Sequence, residues 1–106
     1  MATELLIILS HSLEQSSLSA DGIDAALTAM ILGIDTKVLL LRDAVETPIN
    51  AELIEKIQQI IQMDSTAVIT AAENSIAIKA LLPAIQQLDK SQVQMLFRES
   101  HKILNF

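Results

Sequence analysis

Few side chains in this sequence have the chemistry to act on another molecule, and they gather where short aliphatic runs end. Ser10 and His11 follow the run Leu5-Leu6-Ile7-Ile8-Leu9, Asp43 and Glu46 follow Val38-Leu39-Leu40-Leu41, and Thr70, Glu73 and Asn74 close or follow Ala67-Val68-Ile69. His11 is the one among them that titrates near neutrality, and beside Glu14 or Glu73 it has the means to act as a general base. No nucleophile can be paired with it by spacing, and a loop histidine bonded to backbone or solvent explains it as well. Ser10, Ser12, Ser16, Ser17 and Ser19 crowd the same stretch. Their hydroxyls can contact an anion, but loop and helix-cap duty accounts for the same residues. Asp43 with Glu46 offers oxygens to a cation or is a solvated turn. His101 stands far along the chain from His11, and hard cations want more oxygen ligands, so neither a metal nor another cofactor is expected. These residues make no complete catalytic constellation, although an enzyme built on His11 stays open as a reading.

What must hold these residues in place is an alternation of strands and helices. Glu4 to Ser10 is a continuous aliphatic run, the pattern of a strand buried on both faces of a parallel sheet. From Ala20 the positions Ile23, Leu27, Met30, Ile31 and Ile34 follow helical spacing, with Ser19 or Asp21 as the N-cap and Gly33 as the stop. Lys37 to Arg42 repeats the strand pattern. Thr47-Pro48-Ile49-Asn50 then makes a turn and caps a helix with Leu53, Ile54, Ile57, Ile60 and Ile61 on its inner face. Thr66 to Thr70 is a third strand, leading into a helix ended by Pro83. The segment from Pro83 to Leu88 reads either as a short strand or as the start of a helix; a strand around Ala84 to Leu88 is favoured. Asp89 with Gln92 forms a plausible capping box for a last helix with Val93, Leu96 and Phe97 inside, and Lys102 to Phe106 is a closing strand. The pattern predicts one α/β domain over residues 1–106, a three-layer α/β/α fold on a mainly parallel sheet of about five strands. Ligands of such sheets bind outside the carboxyl ends of the strands, so Ser10, His11, Asp43, Thr70, Glu73 and Asn74 form one candidate pocket.

Composition narrows the chemistry further. The 106 residues contain no cysteine, which excludes disulfides, thiolate metal sites, cysteine nucleophiles and persulfide carriage. Lys and Arg number 7 against 13 Asp and Glu, and a net charge of -6 opposes any phosphate-backbone footprint, so no nucleic acid is expected as a direct ligand. The only glycines are Gly22 and Gly33, so neither a dinucleotide-binding turn nor a phosphate loop can follow the first strand. A phosphoacceptor receiver would need acidic residues where Ser10 and Thr70 stand. No aliphatic run approaches the ~20 residues of a membrane span, and no Lys or Arg precedes Lys37, which points to a cytoplasmic protein without a signal peptide. With 15 Ile, 16 Leu and 13 Ala, the chain is expected to hide apolar surface against other subunits.

The unit from Leu5-Leu6-Ile7-Ile8-Leu9-Ser10 through Gly22-Ile23-Asp24-Ala25-Ala26-Leu27 to Lys37-Val38-Leu39-Leu40-Leu41-Arg42-Asp43-Ala44-Val45 resembles the DsrE/DsrF-like (TusD/TusC) sulfur-relay family. That family closes its second strand with Asp-Gly-Val, where this chain has Ala44 for the glycine. Val68-Ile69-Thr70-Ala71-Ala72 is similar to the family strand ending in Cys-Ala-Ala or Cys-Val-Ala, and Lys102 to Phe106 to its C-terminal strand ending in Phe. The resemblance implies an α/β fold assembling into trimers or hexamers, homomeric or with DsrE-, DsrF- and DsrH-type subunits. Catalytic members pass sulfur as a cysteine persulfide. Here the cysteine position falls on Thr70, and Ser75-Ile76-Ala77-Ile78-Lys79 stands where an Arg-Gly pair often follows. The resemblance therefore implies a non-catalytic DsrF/TusC-like subunit. The competing reading is a self-assembling small-ligand or anion-binding module with its pocket at the strand ends. For Thr70 itself two placements stand open: a shallow pocket shared with Ser10 and His11, which is favoured, or packing under a helix with its hydroxyl on a backbone carbonyl.

Overall fold

In a computed structural model of the chain, residues 3–10, 17–41, 51–71 and 85–106 are described. They form β1 (Leu5–Leu9), α1 (Ser17–Ile31), β2 (Thr36–Leu40), α2 (Ala51–Met63), β3 (Val68–Ala71), β4 (Gln86–Leu88), α3 (Lys90–Glu99) and β5 (Lys102–Asn105). The strands make one five-stranded sheet, parallel throughout, in the order β4-β3-β2-β1-β5.

The aliphatic runs become central strands because both of their faces are covered. Alternate residues point to opposite faces of a strand, and the two sets enter two separate cores. Ile7, Leu9, Val38, Leu40 and Val68 join Ile23 and Ala26 of α1 and Leu53, Ile57 and Ile60 of α2 on one face. Leu6, Ile8, Leu39 and Ile69 meet Leu88 and the half-buried Val93 and Leu96 of α3 on the other. Helices on both faces of a parallel sheet give the three-layer α/β/α fold. The split follows from crossover handedness. While the chain steps from β1 to β2 to β3, α1 and α2 share one face; when it returns across the sheet from β4 to β5, a right-handed connection requires α3 on the opposite face.

Helix boundaries follow local chemistry. α1 ends in a left-handed glycine, Gly33 at φ 83°, whose N–H donates to the Met30 carbonyl at 3.0 Å while the Ile34 N–H reaches the Ala29 carbonyl at 3.0 Å. These two bonds satisfy carbonyls that the last turn leaves without helical partners. The start of α1 differs from expectation. The helix begins at Ser17, so Ser19 lies inside its first turn and is fully buried. α3 begins as its capping box predicts: Asp89 Oδ1 accepts from the Gln92 N–H at 2.8 Å, and Gln92 Oε1 accepts from the Asp89 N–H at 3.0 Å. Of the inner residues expected for α3, Val93 and Leu96 are half-buried and Phe97 is exposed. β4 is shorter than the expected strand and starts at Gln86. The predicted helix before Pro83 and the turn at Thr47 to Asn50 lie outside the described residues.

Across the amino-terminal edge of the sheet, Asp64 after α2 organises the entry to β3. Its Oδ1 accepts from the Thr66 hydroxyl at 2.7 Å and the Thr66 N–H at 2.9 Å, and its Oδ2 lies 3.5 Å from Lys37 Nζ. These donors, the Thr66 hydroxyl foremost, hold its carboxyl below the ordinary aspartate range. Asp89 is lowered in the same direction, chiefly by the Gln92 N–H. A carboxyl whose folded value lies below its unfolded value contributes stability above the unfolded value, near pH ~3.9, and loses it as pH falls through the lower folded value. Asp64→Asn is therefore expected to flatten the acid side of the stability profile, between about pH 5 and pH 3. Urea unfolding of the two proteins across that range checks it; parallel profiles would show that Asp64 carries none of the acid sensitivity.

Candidate functional site

Sheet register decides what stands at the carboxyl edge. Leu9 pairs with Leu40, Leu40 with Thr70, and Thr70 with Gln87, which sets these four residues in one row across the sheet. Leu9 and Leu40 belong to the core under α1 and α2, so Thr70 points into the same layer. It has 0% exposure, and its hydroxyl donates to the Leu40 carbonyl at 3.4 Å. A threonine suits such a row because its branched side chain fills a pleated surface as valine would, provided the hydroxyl finds a partner. The favoured expectation of a shallow pocket at Thr70 thus meets a side chain closed off from solvent.

Ser10 goes elsewhere. It follows Leu9 and so turns toward the opposite face. Its hydroxyl contacts Asn105 Oδ1 at 3.0 Å and the Phe106 carbonyl at 3.2 Å, and its N–H donates to that carbonyl at 2.9 Å. The Phe106 N–H returns to the Ile8 carbonyl at 2.8 Å, so the ends of β1 and β5 are bound to each other. Two strand spacings, about 10 Å, separate β1 from β3 with β2 between them. Ser10 and Thr70 therefore do not share a crevice. His11, Asp43, Glu73 and Asn74, with Ser12, Ser16, Glu14 and Glu46, lie outside the described residues.

The strand order reverses between β1 and β5, the kind of switch point where ligands of open α/β sheets bind. Ser10 and Asn105 are the polar side chains that mark it. Asn105 is exposed and presents an amide there; among the described residues, no Asp, Glu, His, Lys or Arg bonds to either residue. Among the described residues the Ser10 hydroxyl has no neighbouring base to activate it as a nucleophile. The pair can hold a small polar group by hydrogen bonds. Among the described residues no three His, Asp or Glu side chains meet as metal ligands.

Three contributors to this edge lie outside the predicted pocket. In the sequence Asn105 is only part of a closing strand, because nothing local ties it to a serine 95 positions away. Phe106 covers the end of β1 and touches α1 at Gly22, where a Cβ would stand 2.5 Å from Leu9 Cδ2 and 3.0 Å from Phe106 Cγ. Gly22 is thus a close-approach glycine that lets α1 settle on the sheet beside the switch point. A glycine inside an otherwise regular helix pattern was the available signal.

The chain matches no known family model and no curated protein sequence. What the fold and the site define is an α/β/α domain with a hydrogen-bonding edge at its switch point. Among the described residues no helix is long and apolar enough to cross a membrane.

Proposed function

We propose that the protein is a non-catalytic DsrF/TusC-like subunit of a cytoplasmic sulfur-relay assembly, acting by association with itself and with cysteine-bearing DsrE- or DsrH-type subunits. One observation carries the reading. The segments that resemble the family include four neighbouring strands of one parallel sheet, β3-β2-β1-β5, and the position corresponding to the family cysteine is Thr70 of β3. The chemistry at Thr70 supports the non-catalytic part. Sulfur relay needs a thiolate or persulfide, and a buried hydroxyl donating to a backbone carbonyl supplies neither. Exposed Ile31 at the end of α1, Leu32 just after it, Met63 on α2 and Met95 on α3 support association.

A second reading, a self-assembling small-ligand or anion-binding module, is favoured by the Ser10 and Asn105 pair at the switch point. The two readings part in one experiment. The full chain is co-expressed with a cysteine-bearing DsrE-type protein and loaded with labelled sulfane sulfur. The relay reading expects co-elution as one assembly with the label on the partner alone. Label held covalently by this chain, or separate elution of the two proteins, would overturn it.

A further inference from the structure

The face of the sheet covered by α3 is finished differently from its opposite. α1 and α2 bury Ile23, Ile57 and Ile60 completely, whereas α3 buries no residue fully and keeps Met95 56% exposed. Along one flank of α3 runs a groove of about 310 Å³ lined by Leu88, Gln92, Met95, Leu96 and Glu99. From Gln92 onward these residues recur at three- and four-residue intervals, so they form one stripe along the helix. Its middle is apolar and its two ends are polar.

The polar ends are unlike. The capping box holds Gln92 Oε1 on the Asp89 N–H, which leaves the amide NH2 of this exposed side chain as its donor. Glu99, one residue from Ser100 at the other end, has a carboxylate that forms no ion pair among the described residues. An occupant of this groove must offer an acceptor to Gln92, a donor to Glu99, and apolar surface between them.

We propose that the occupant is the same helix of a second copy, laid antiparallel about a two-fold axis beside Met95 and Leu96. Such an axis pairs residues whose numbers have a constant sum. It sets Met95 against Leu96 of the second copy, and Gln92 against Glu99 of the second copy, at both ends at once. The amide donor of each copy then meets the carboxylate of the other. Antiparallel helices also oppose their macrodipoles favourably. A parallel pairing would bring the two Glu99 carboxylates together and leave the two amide donors facing each other, so the polar ends select against it. A ten-residue helix is about 15 Å long, and two such flanks bury less than the ~800 Å² per partner of a standard interface, so a weak association is expected, with a dissociation constant in the micromolar range. The inference goes beyond the sulfur-relay reading and does not need it.

The test uses the full chain, in light scattering and sedimentation from about 1 to 300 μM, bracketing that range. Wild type is expected to associate, Met95→Glu to raise the dissociation constant by at least about tenfold, and Ile31→Glu, at an exposed site on α1, to leave it unchanged. Because the chain has no cysteine, a single introduced thiol can form a disulfide only between copies. Met95→Cys is expected to give covalent dimers under mild oxidation, and Ile31→Cys to remain uncrosslinked. Mixed Gln92→Cys and Glu99→Cys proteins are expected to form the mixed disulfide in preference to either homodimer. Wild type that associates but ignores Met95→Glu, or Ile31→Cys that crosslinks as fast as Met95→Cys, would overturn this face while leaving self-association intact. A monomeric wild type at 300 μM would overturn the pairing together with the self-association in the proposed function.

Discussion

Thr70→Cys is expected to react with a small thiol reagent at least about a thousand times more slowly in the native protein than in the unfolded chain. A thiol there inherits a site with 0% exposure, in the row of Leu9 and Leu40 beneath α1 and α2. Reagent can reach it only when β3 and its cover open. An opening free energy of about 4 kcal/mol, within the usual stability of a small domain, already supplies a factor of ~10³. Stopped-flow labelling in buffer and in denaturant measures the ratio. A native rate within about tenfold of the unfolded one would mean that the carboxyl edge opens onto solvent at position 70. The outcome bears on function. On the sulfur-relay proposal a relay cysteine must meet a partner's persulfide, so slow labelling would show that a thiol at position 70 is closed to such a partner.

The second large effect concerns the centre of the sheet. Ile7 pairs with Val38 on one side and Leu104 on the other, with Val68 next in the row, and none of its surface is exposed. Ile7→Ala removes three carbons from a position where neither strand neighbour can move in without disturbing the ladder. The expected loss is about 3 kcal/mol, within the 2 to 5 kcal/mol of such truncations. At a urea slope of roughly 1.5 kcal/mol/M the midpoint falls by about 2 M with the slope unchanged. Ile31→Ala, at a side chain 73% exposed, is expected to change stability by no more than about 0.5 kcal/mol. A loss below about 1 kcal/mol for Ile7→Ala would mean that the two-sided burial of β1 is not what holds the sheet.

If the α3 pairing and the sulfur-relay reading both hold, the exposed ends of α1 and α2, with Ile31, Leu32 and Met63, remain for other subunits. A mixed assembly needs two such surfaces, one for its own copy and one for the cysteine-bearing partner. The Ile31→Glu variant therefore serves two experiments. It should spare self-association through α3, and it should weaken capture by a DsrE-type subunit if that partner sits on the α1 and α2 ends.

Most of the elements were legible in the sequence. Runs such as Leu5 to Leu9 carry the pattern of strands covered on both faces, the spacing of Leu53, Ile57 and Ile60 that of one helix face, and Asp89 with Gln92 announced the start of α3, while Pro83 to Leu88 allowed both strand and helix. These are local signals, set by backbone period and by hydrogen bonds spanning a few residues. The sequence by itself also determined the chemistry the chain lacks, because the absence of cysteine does not depend on folding. Only the tertiary structure decided that β5 inserts beside β1, so that Ser10 joins Asn105 and Phe106 and not Thr70. It also decided that Thr70 faces the layer of α1 and α2, because register assigns each strand residue to one face and a shift of a single position would have turned it to the face under α3. Pairing between residues some 95 positions apart depends on the summed burial of all the strands and helices. No short stretch of sequence contains that sum, so the residues that meet at the carboxyl edge were legible one by one while their meeting was not.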